Sequence, residues 1–560
     1  MVQFKKEEEQ KRQFGEYIDE EAENLTQILA SRYKLPYLDL ATTPINIEAL
    51  KVIKENLARE TKLVAFNAVG KKLLVGILSP QNLKTQDVIE NLKKQGWDVN
   101  LFLASEKSLE KAWDRYKELS AGSEIHSGVL DISSEEIQEF LGKITNLKSI
   151  QELIEDTLAV KTTYRISKIL EIMLAGALAV KASDIHLEPE EGYVRLRYRL
   201  DGVLTNVLNF DSKTYGLLLS RIKLLSGLKL NITGQAQDGR FSIKMGDGEI
   251  EIRTSALPGA YGDTVVLRVL NPKSISVPLE ELGIHPRLLS VLLYETSKPN
   301  GMILTTGPTG SGKTTTLYAF LKKIHSPGIK IITIENPIEY HLPGIVQTQT
   351  DAKKGYTFLE GLRSALRQDP DVIMVGEIRD KETAEIAINA ALTGHLVFST
   401  LHTNNAAGAF PRLIDLDVNP KIITSALNIA MAQRLVRKLC PKCRKPSKPK
   451  KEEQELIGKI TETIKDKTYL EDVSLEKVWE AVGCEECNFS GFKGRLGIYE
   501  AIRADQKIEE AVQKNPSERE IKKASLGQNI LDMKQDGIIK VLKGVTSLRE
   551  LGRVVDLLED

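Results

Sequence analysis

Residues 307–314 of this 560-residue chain read Gly-Pro-Thr-Gly-Ser-Gly-Lys-Thr, between an apolar run, MILTT at 302–306, and a helix-favouring stretch, TTLYAFLKKI. A strand, a glycine-rich loop and a helix in that order make a polyphosphate cradle. Gly307, Gly310 and Gly312, with Pro308, Thr309 and Ser311 between them, let backbone N–H groups close on an anion at a helix N-terminus. Lys313 has the reach for β- and γ-phosphates, and the Thr314 hydroxyl suits a Mg²⁺ ion. A glycine-rich turn without a ligand is the plainer reading, but the strand and helix that a P-loop requires are both present.

Three further strand-like runs end in polar groups. IKIITIE (329–335) continues into Asn336-Pro337-Ile338-Glu339, DVIMVGE (371–377) ends in Glu377-Ile378-Arg379-Asp380, and LVFSTLH (396–402) ends in His402. Ligands of open parallel sheets sit beyond the carboxyl ends of the strands, so all these groups should crowd the edge that carries the P-loop. A carboxylate near a γ-phosphate can orient and deprotonate water, whereas one at the Mg²⁺ acts through coordinated waters. Glu339 and Glu377 are the candidates for those two roles; singly, each would read as a solvated turn or a helix cap. His395 and His402 flank one strand, roughly 20 Å apart at ~3.3 Å per residue. They cannot share a metal. Only His402 belongs to the catalytic edge, and His395 reads as a packing histidine.

The second candidate centre is built from sulfur. All four cysteines fall in two Cys-x-x-Cys pairs, Cys440/Cys443 and Cys484/Cys487. In a reducing compartment four thiolates close a tetrahedral Zn²⁺ site with no open position, which makes a structural site; disulfides or unliganded thiols are the alternatives. The spacer, 444–483, exceeds the usual ~15–20 residues, and a helical hairpin within 450–480 is expected to return the chain.

These centres need scaffolds. After Pro272 buried apolar strands alternate with helical stretches, the pattern of a parallel sheet covered on both faces. The expected fold class is α/β: a P-loop core on a parallel sheet (273–437) preceded by a second α+β domain (151–272) and a small N-terminal α/β domain (1–118). A Ser-, Gly- and acid-rich stretch, 119–150, reads as a linker with one possible helix around Ile137 to Ile144. A cysteine element (438–500) and a helical segment (501–560) follow. Lys+Arg 77 against Asp+Glu 77 leaves no global field to hold a nucleic-acid backbone, and no basic, aromatic-rich stretch supplies a local one. A nucleic-acid motor is therefore the distant alternative. The N-terminus lacks a signal-peptide core and the longest apolar run, Ile172 to Val180, is about half a membrane span, so a cytoplasmic protein is expected. The run KKEEEQKR (5–12) reads as a solvated helical face.

With these motifs in order, the chain resembles the secretion ATPases that drive type IV pilus assembly and type II secretion. GPTGSGKTT is similar to that family's P-loop, IITIENPIEY to its aspartate box, LRSALRQDPDVIMVGEIRD to its Walker B region and TGHLVFSTLHTN to its histidine box. The resemblance implies a RecA-like fold for the core at 273–437, ATP as the nucleotide, Glu339 as the catalytic glutamate, Glu377 as the Walker B glutamate and His402 as the catalytic-side histidine. Asn336 stands where the family usually has Asp. ASDIHLEP, VRLRYRLDG and QDGRFSI (182–243) resemble the family's PAS-like second N-terminal domain. Arg253 and Arg268 share the spacing of its arginine fingers; without that likeness they would read as salt-bridged arginines on adjacent strands. GCEECNFSGFKGRLGIYE resembles the tetracysteine element, which points to the assembly and secretion branch rather than the retraction branch. SRYKLPYLDL (31–40) resembles that branch's regulatory domain, but residues 1–30 lack the Arg-Leu-Gly signature with which some members bind cyclic di-GMP, so no second-messenger binding is expected. The implied assembly is a homo-hexamer, peripheral to the inner face of the cytoplasmic membrane. It would turn an inner-membrane platform protein with a cytoplasmic adaptor alongside, in pilus assembly or alternatively in type II secretion.

Overall fold

The computed structural model describes residues 23–116, 129–130 and 134–558, apart from 41–42, 44, 51, 70, 161–164, 233, 246–247 and 273–276. The charged run at 5–12 lies outside them. The chain divides into two compact units, Met1–Ser127 and Gly128–Asp560.

In the first unit β1 (Leu63–Val69) and β2 (Lys72–Ile77) form an antiparallel pair, and β3 (Asp98–Leu103) adds in parallel to β2. A parallel neighbour requires a crossover. The helix Leu83–Lys94 provides it, capped by the Asn82 side chain, which accepts from Lys84 N. Its Val88, Ile89 and Leu92 join Leu73, Val75 and Leu103 in one core.

The second unit holds two seven-stranded sheets. The first comprises β4 (Val129–Leu130), β5 (Asp184–Glu190), β6 (Tyr193–Leu200), β7 (Val203–Phe210), β8 (Gln237–Met245), β9 (Gly248–Gly259) and β10 (Gly262–Leu270), in the order β4-β8-β9-β10-β5-β6-β7. Period two governs it: in β6, Val194, Leu196 and Tyr198 are buried while Arg195, Arg197 and Arg199 take the opposite face. The helix Arg165–Ala179 is apolar nearly all round, as it must be between this sheet and two more helices, Ser134–Lys143 and Leu147–Ala159. Those helices correct the reading of 119–150 as a linker. Ile137, Phe140, Ile144 and Ile150 are buried in this domain's core, and β4 pairs with β8. The first of those helices is the possible helix around Ile137 to Ile144, and the break at 144–146 separates it from the second.

The second sheet comprises β11 (Gly301–Thr306), β12 (Ile331–Glu335), β13 (Val346–Gln349), β14 (Val372–Val375), β15 (Leu396–Leu401), β16 (Leu427–Leu439) and β19 (Phe492–Arg503), ordered β13-β12-β14-β15-β11-β16-β19. All neighbours are parallel except β16 and β19. Alternate residues feed two cores: Met302, Leu304, Ile373 and Val397 enter one, and Ile303, Met374, Phe398 and Met431 the other. Both faces are thus covered, as a parallel sheet demands. β19 crosses the expected 500/501 boundary and belongs to this sheet.

Between the cysteine pairs the chain does not form a helical hairpin. One helix, Lys451–Thr463, is followed by a 3₁₀ turn, Lys467–Leu470, and β18 (Val478–Glu480) returns to pair antiparallel with β17 (Lys445–Ser447). Three residues are too few for periodicity to separate strand from helix. Trp479 fixes the return, with the Arg444 guanidinium 4.7 Å over its ring.

Candidate functional site

β11 delivers its chain into the P-loop, and the helix Lys313–Ile324 leaves it with Gly312 as N-cap in a left-handed conformation, φ +93°. Gly307, φ +143°, sits so close to β16 that a Cβ there would stand 2.6 Å from the Gln433 carbonyl oxygen. A side chain at either position would lift the loop off its sheet. Lys313 donates to the carbonyls of Gly307 (2.8 Å) and Pro308 (3.1 Å), folding back over the loop. Burial lowers its pKa, and the Glu377 carboxylate opposes that shift.

The ends of the neighbouring strands converge on this loop as their sequence positions require. Glu377, two residues past β14, is largely buried; one oxygen lies 2.6 Å from the Arg379 guanidinium and the other 3.5 Å from Nε2 of His402, which follows β15. Asp380 is absorbed as the cap of the helix Lys381–Leu392, accepting from Thr383 N at 2.8 Å. His395, at the far end of β15, contacts the Ala390 carbonyl at 3.1 Å and stays out of the site.

The two carboxylates of the aspartate box part company. Glu335, within β12, is 2 % exposed and accepts from Tyr318, Thr333 and Gln347; burial raises its pKa against those donors. It is locked in. Glu339, four residues on in the loop, keeps about a third of its side chain exposed and lies 3.7 Å from an Arg253 nitrogen. Arg253 also donates to the Ile338 carbonyl at 3.1 Å and to Glu251 at 2.9 Å. One arginine of the PAS-like sheet thereby reaches the box within a single chain.

Arg268 goes elsewhere. It pairs with Asp184 at 3.0 Å and lines a cleft of about 430 Å³ between the PAS-like domain and the first turn of the P-loop helix, walled by Gly312, Thr315, Leu435 and Arg495. A register that sequence reading missed unites these arginines. Arg240, Arg253, Arg268, Asp184 and Arg199 face one another across β8, β9, β10, β5 and β6 as one row. Like charges directly opposite destabilise a sheet, and Glu251 and Asp184 offset them here. Arg240 has the least compensation, its side chain 72 % exposed and 3.9 Å from Glu251.

The four cysteine sulfurs gather within 4.8 Å of one another. Cys440–Cys484, Cys443–Cys487 and Cys484–Cys487 stand 3.9, 3.8 and 3.7 Å apart. Four thiolates at ~2.3 Å from a tetrahedral Zn²⁺ have edges of ~3.8 Å, and three of the six separations here match that length. Burial pushes the Cys443 thiol up to about 12. Burial acts on Cys487 in the same sense, but the N–H groups of Cys484 and Gly491 outweigh it and bring Cys487 down to about 7.

Comparison with known proteins follows this geometry. Residues 160–553 match the model of the type II/IV secretion system protein family, and residues 33–123 match the MshEN domain. The type IV pilus assembly ATPase PilB of Myxococcus xanthus is 36 % identical over 532 residues, covering 95 % of this chain and 91 % of that protein. Type II secretion system protein E of Aeromonas hydrophila is 42 % identical over 422 residues, 75 % of this chain and 82 % of that one. The chain belongs to the type II/IV secretion system protein family. It is an ATPase of that family, and its N-terminal α/β unit carries the MshEN domain. The solved structure of the Yersinia pseudotuberculosis ATPase DotB, 19 % identical, superposes with a TM-score of 0.50 over 69 % of this chain and 93 % of that one, a likeness of fold. Among the described residues no helix is long and apolar enough to cross a membrane.

Proposed function

We propose that Gly307–Thr314 binds the phosphates of ATP and that its hydrolysis powers type IV pilus assembly, with Glu339 as the base that takes the water's proton. The observation that carries this reading is the pairing of Arg253 with Glu339 across two domains. A base that must stay near the γ-phosphate is held there by a guanidinium that can move onto the phosphate as the domains close. Glu377, tethered by Arg379 and His402, is positioned for the metal side of the phosphates. Mg²⁺, held by Thr314, would offset phosphate charge. The cleft beside the P-loop helix is of a size to receive the nucleoside, with Arg268 on its wall. Zn²⁺ on the four cysteines is structural: it closes the loop that joins β16 to β19.

Coupling follows from chain path. Leu147 N donates to Asn488 Oδ1 at 2.8 Å, one residue past Cys487, and Gly494 N donates to Asp201 Oδ2 at 2.8 Å. The cysteine element thus grips the PAS-like domain, and a change of angle between that domain and the core moves both. Arranged as a homo-hexamer peripheral to the cytoplasmic face of the inner membrane, such changes would turn a platform protein, with a cytoplasmic adaptor in the same assembly. Pilus assembly leads because the alignment to the pilus ATPase covers 95 % of the chain, N-terminal domain included. Type II secretion is the second reading, favoured by the higher identity over a shorter stretch. The test is stimulation of ATP turnover by the cytosolic domain of a pilus platform protein, a secretion platform protein or single-stranded DNA. Stimulation by the first supports the reading, by the second alone transfers it to secretion, and by DNA alone overturns both.

A further inference from the structure

A buried glutamine holds the P-loop from behind. Gln433 lies in β16, is 1 % exposed, and donates from Nε2 to the Ser311 carbonyl at 2.6 Å. Its main chain supports Gly307, and a Cβ at Gly312 would stand 2.9 Å from its Nε2. The loop's first and last glycines and its serine carbonyl therefore all rest on one residue of the neighbouring strand. The Gln433 Oε1 and Ser311 Oγ atoms are buried without a hydrogen-bond partner. Leaving a buried polar atom unpaired is costly.

The geometry points to Gln433 as a positioning residue for nucleotide binding, acting through the direction of one peptide. In a trans peptide the C=O and the following N–H point opposite ways. Drawing the Ser311 carbonyl toward β16 therefore turns the Gly312 N–H outward, to the side where an anion sits at the start of the helix Lys313–Ile324. Without that hydrogen bond the peptide is free to flip, which would place a carbonyl dipole against the phosphates instead of an N–H. Gln433 is also the residue immediately after the last β11–β16 pair, Thr306–Ala432, and seven before Cys440, so the strand that sets the loop's N–H direction is the strand that the cysteine element anchors.

This inference rests on ATP being held at the P-loop. The experiment measures equilibrium binding of ATP, with Mg²⁺ present, and KM and kcat of turnover for the wild type, Gln433→Leu, Gln433→Glu and Lys313→Ala. Loss of one hydrogen bond at an anion site should weaken binding by about five- to tenfold in Gln433→Leu. KM should rise with it, while kcat at saturation falls less. Gln433→Glu keeps the shape but presents an acceptor to the Ser311 carbonyl, and should bind more weakly still. Folding of each variant is read from its thermal transition without nucleotide; if Gln433→Leu does not fold, the near-isosteric Gln433→Glu decides. Wild-type binding in a folded Gln433 variant, or a loss of kcat with KM unchanged, overturns the inference while leaving the P-loop reading intact. Failure of the wild type to bind ATP, or wild-type binding in Lys313→Ala, overturns the P-loop reading itself.

Discussion

The two chemical centres of this chain are built on opposite plans. In the cysteine element four sulfurs converge, three of their separations lying at 3.7–3.9 Å, and the site is made of side chains from two short turns. At the P-loop edge nearly every reactive group is engaged with a neighbour. Lys313 covers loop carbonyls, Arg253 holds Glu339, and Glu377 sits between Arg379 and His402. A structural metal site is filled once, and its binding energy goes into folding. A turnover site must exchange partners in each cycle, so its charges are kept satisfied by groups that can leave.

That contrast predicts the largest effect at the loop. Lys313→Ala should abolish measurable ATP turnover with the thermal transition little changed, because Lys313 contacts only loop carbonyls and no core; normal turnover in that variant would remove the loop from the chemistry. The cysteine element should fail in the other way, through folding. Elemental analysis of the wild type should find one metal per chain, and Cys440→Ser with Cys484→Ser should lose it together with local protection from proteolysis across 438–500. Its pH dependence has a definite sign. Metal needs thiolates and displaces a proton from each thiol it binds, so zinc uptake by the metal-free protein should weaken as pH falls and strengthen as it rises. Uptake independent of pH from 6 to 8 would mean that other groups bind the ion.

A smaller effect sharpens the edge itself. Arg253→Ala should bind ATP nearly normally and hydrolyse it slowly, since its guanidinium serves only on closure. Arg268→Ala should instead raise KM, because Arg268 lines the cleft rather than the box. Mixing Arg253→Ala with Lys313→Ala subunits then separates action within a chain from action between chains. The Arg253–Glu339 contact lies within one chain, so no activity should return if that contact is the working one; recovery in mixed hexamers would assign the finger to a neighbouring subunit.

Much of this was legible in the sequence, and the boundary between what was and what was not is physical. Apolar strands that end in Glu377, His402 and the aspartate box announce a common edge, because the carboxyl ends of parallel strands share one side of a sheet. The cysteine spacing likewise announces four convergent thiolates. Pairing was not legible. Nothing local tells that Arg240 lies opposite Arg253, or that Gln433 inside the run LNIAMAQRLVRKL faces a P-loop carbonyl rather than the core, because register is set by distant strands. That the helices of 134–159 pack into the domain core escaped for the same reason, and the three-residue β18 escaped for want of length.

The account stands most directly on the division of labour between Glu335 and Glu339. The deciding measurement is ATP binding and single-turnover hydrolysis by Glu339→Gln beside Glu335→Gln. Glu339→Gln keeps the shape but cannot accept a proton, so it should bind ATP as the wild type does and lose hydrolysis by a factor on the order of 10²–10⁴. Glu335→Gln, in a buried network that already presses its carboxyl toward the neutral form, should retain most of its turnover. Normal hydrolysis in Glu339→Gln with loss in Glu335→Gln would contradict the assignment and place the base inside β12.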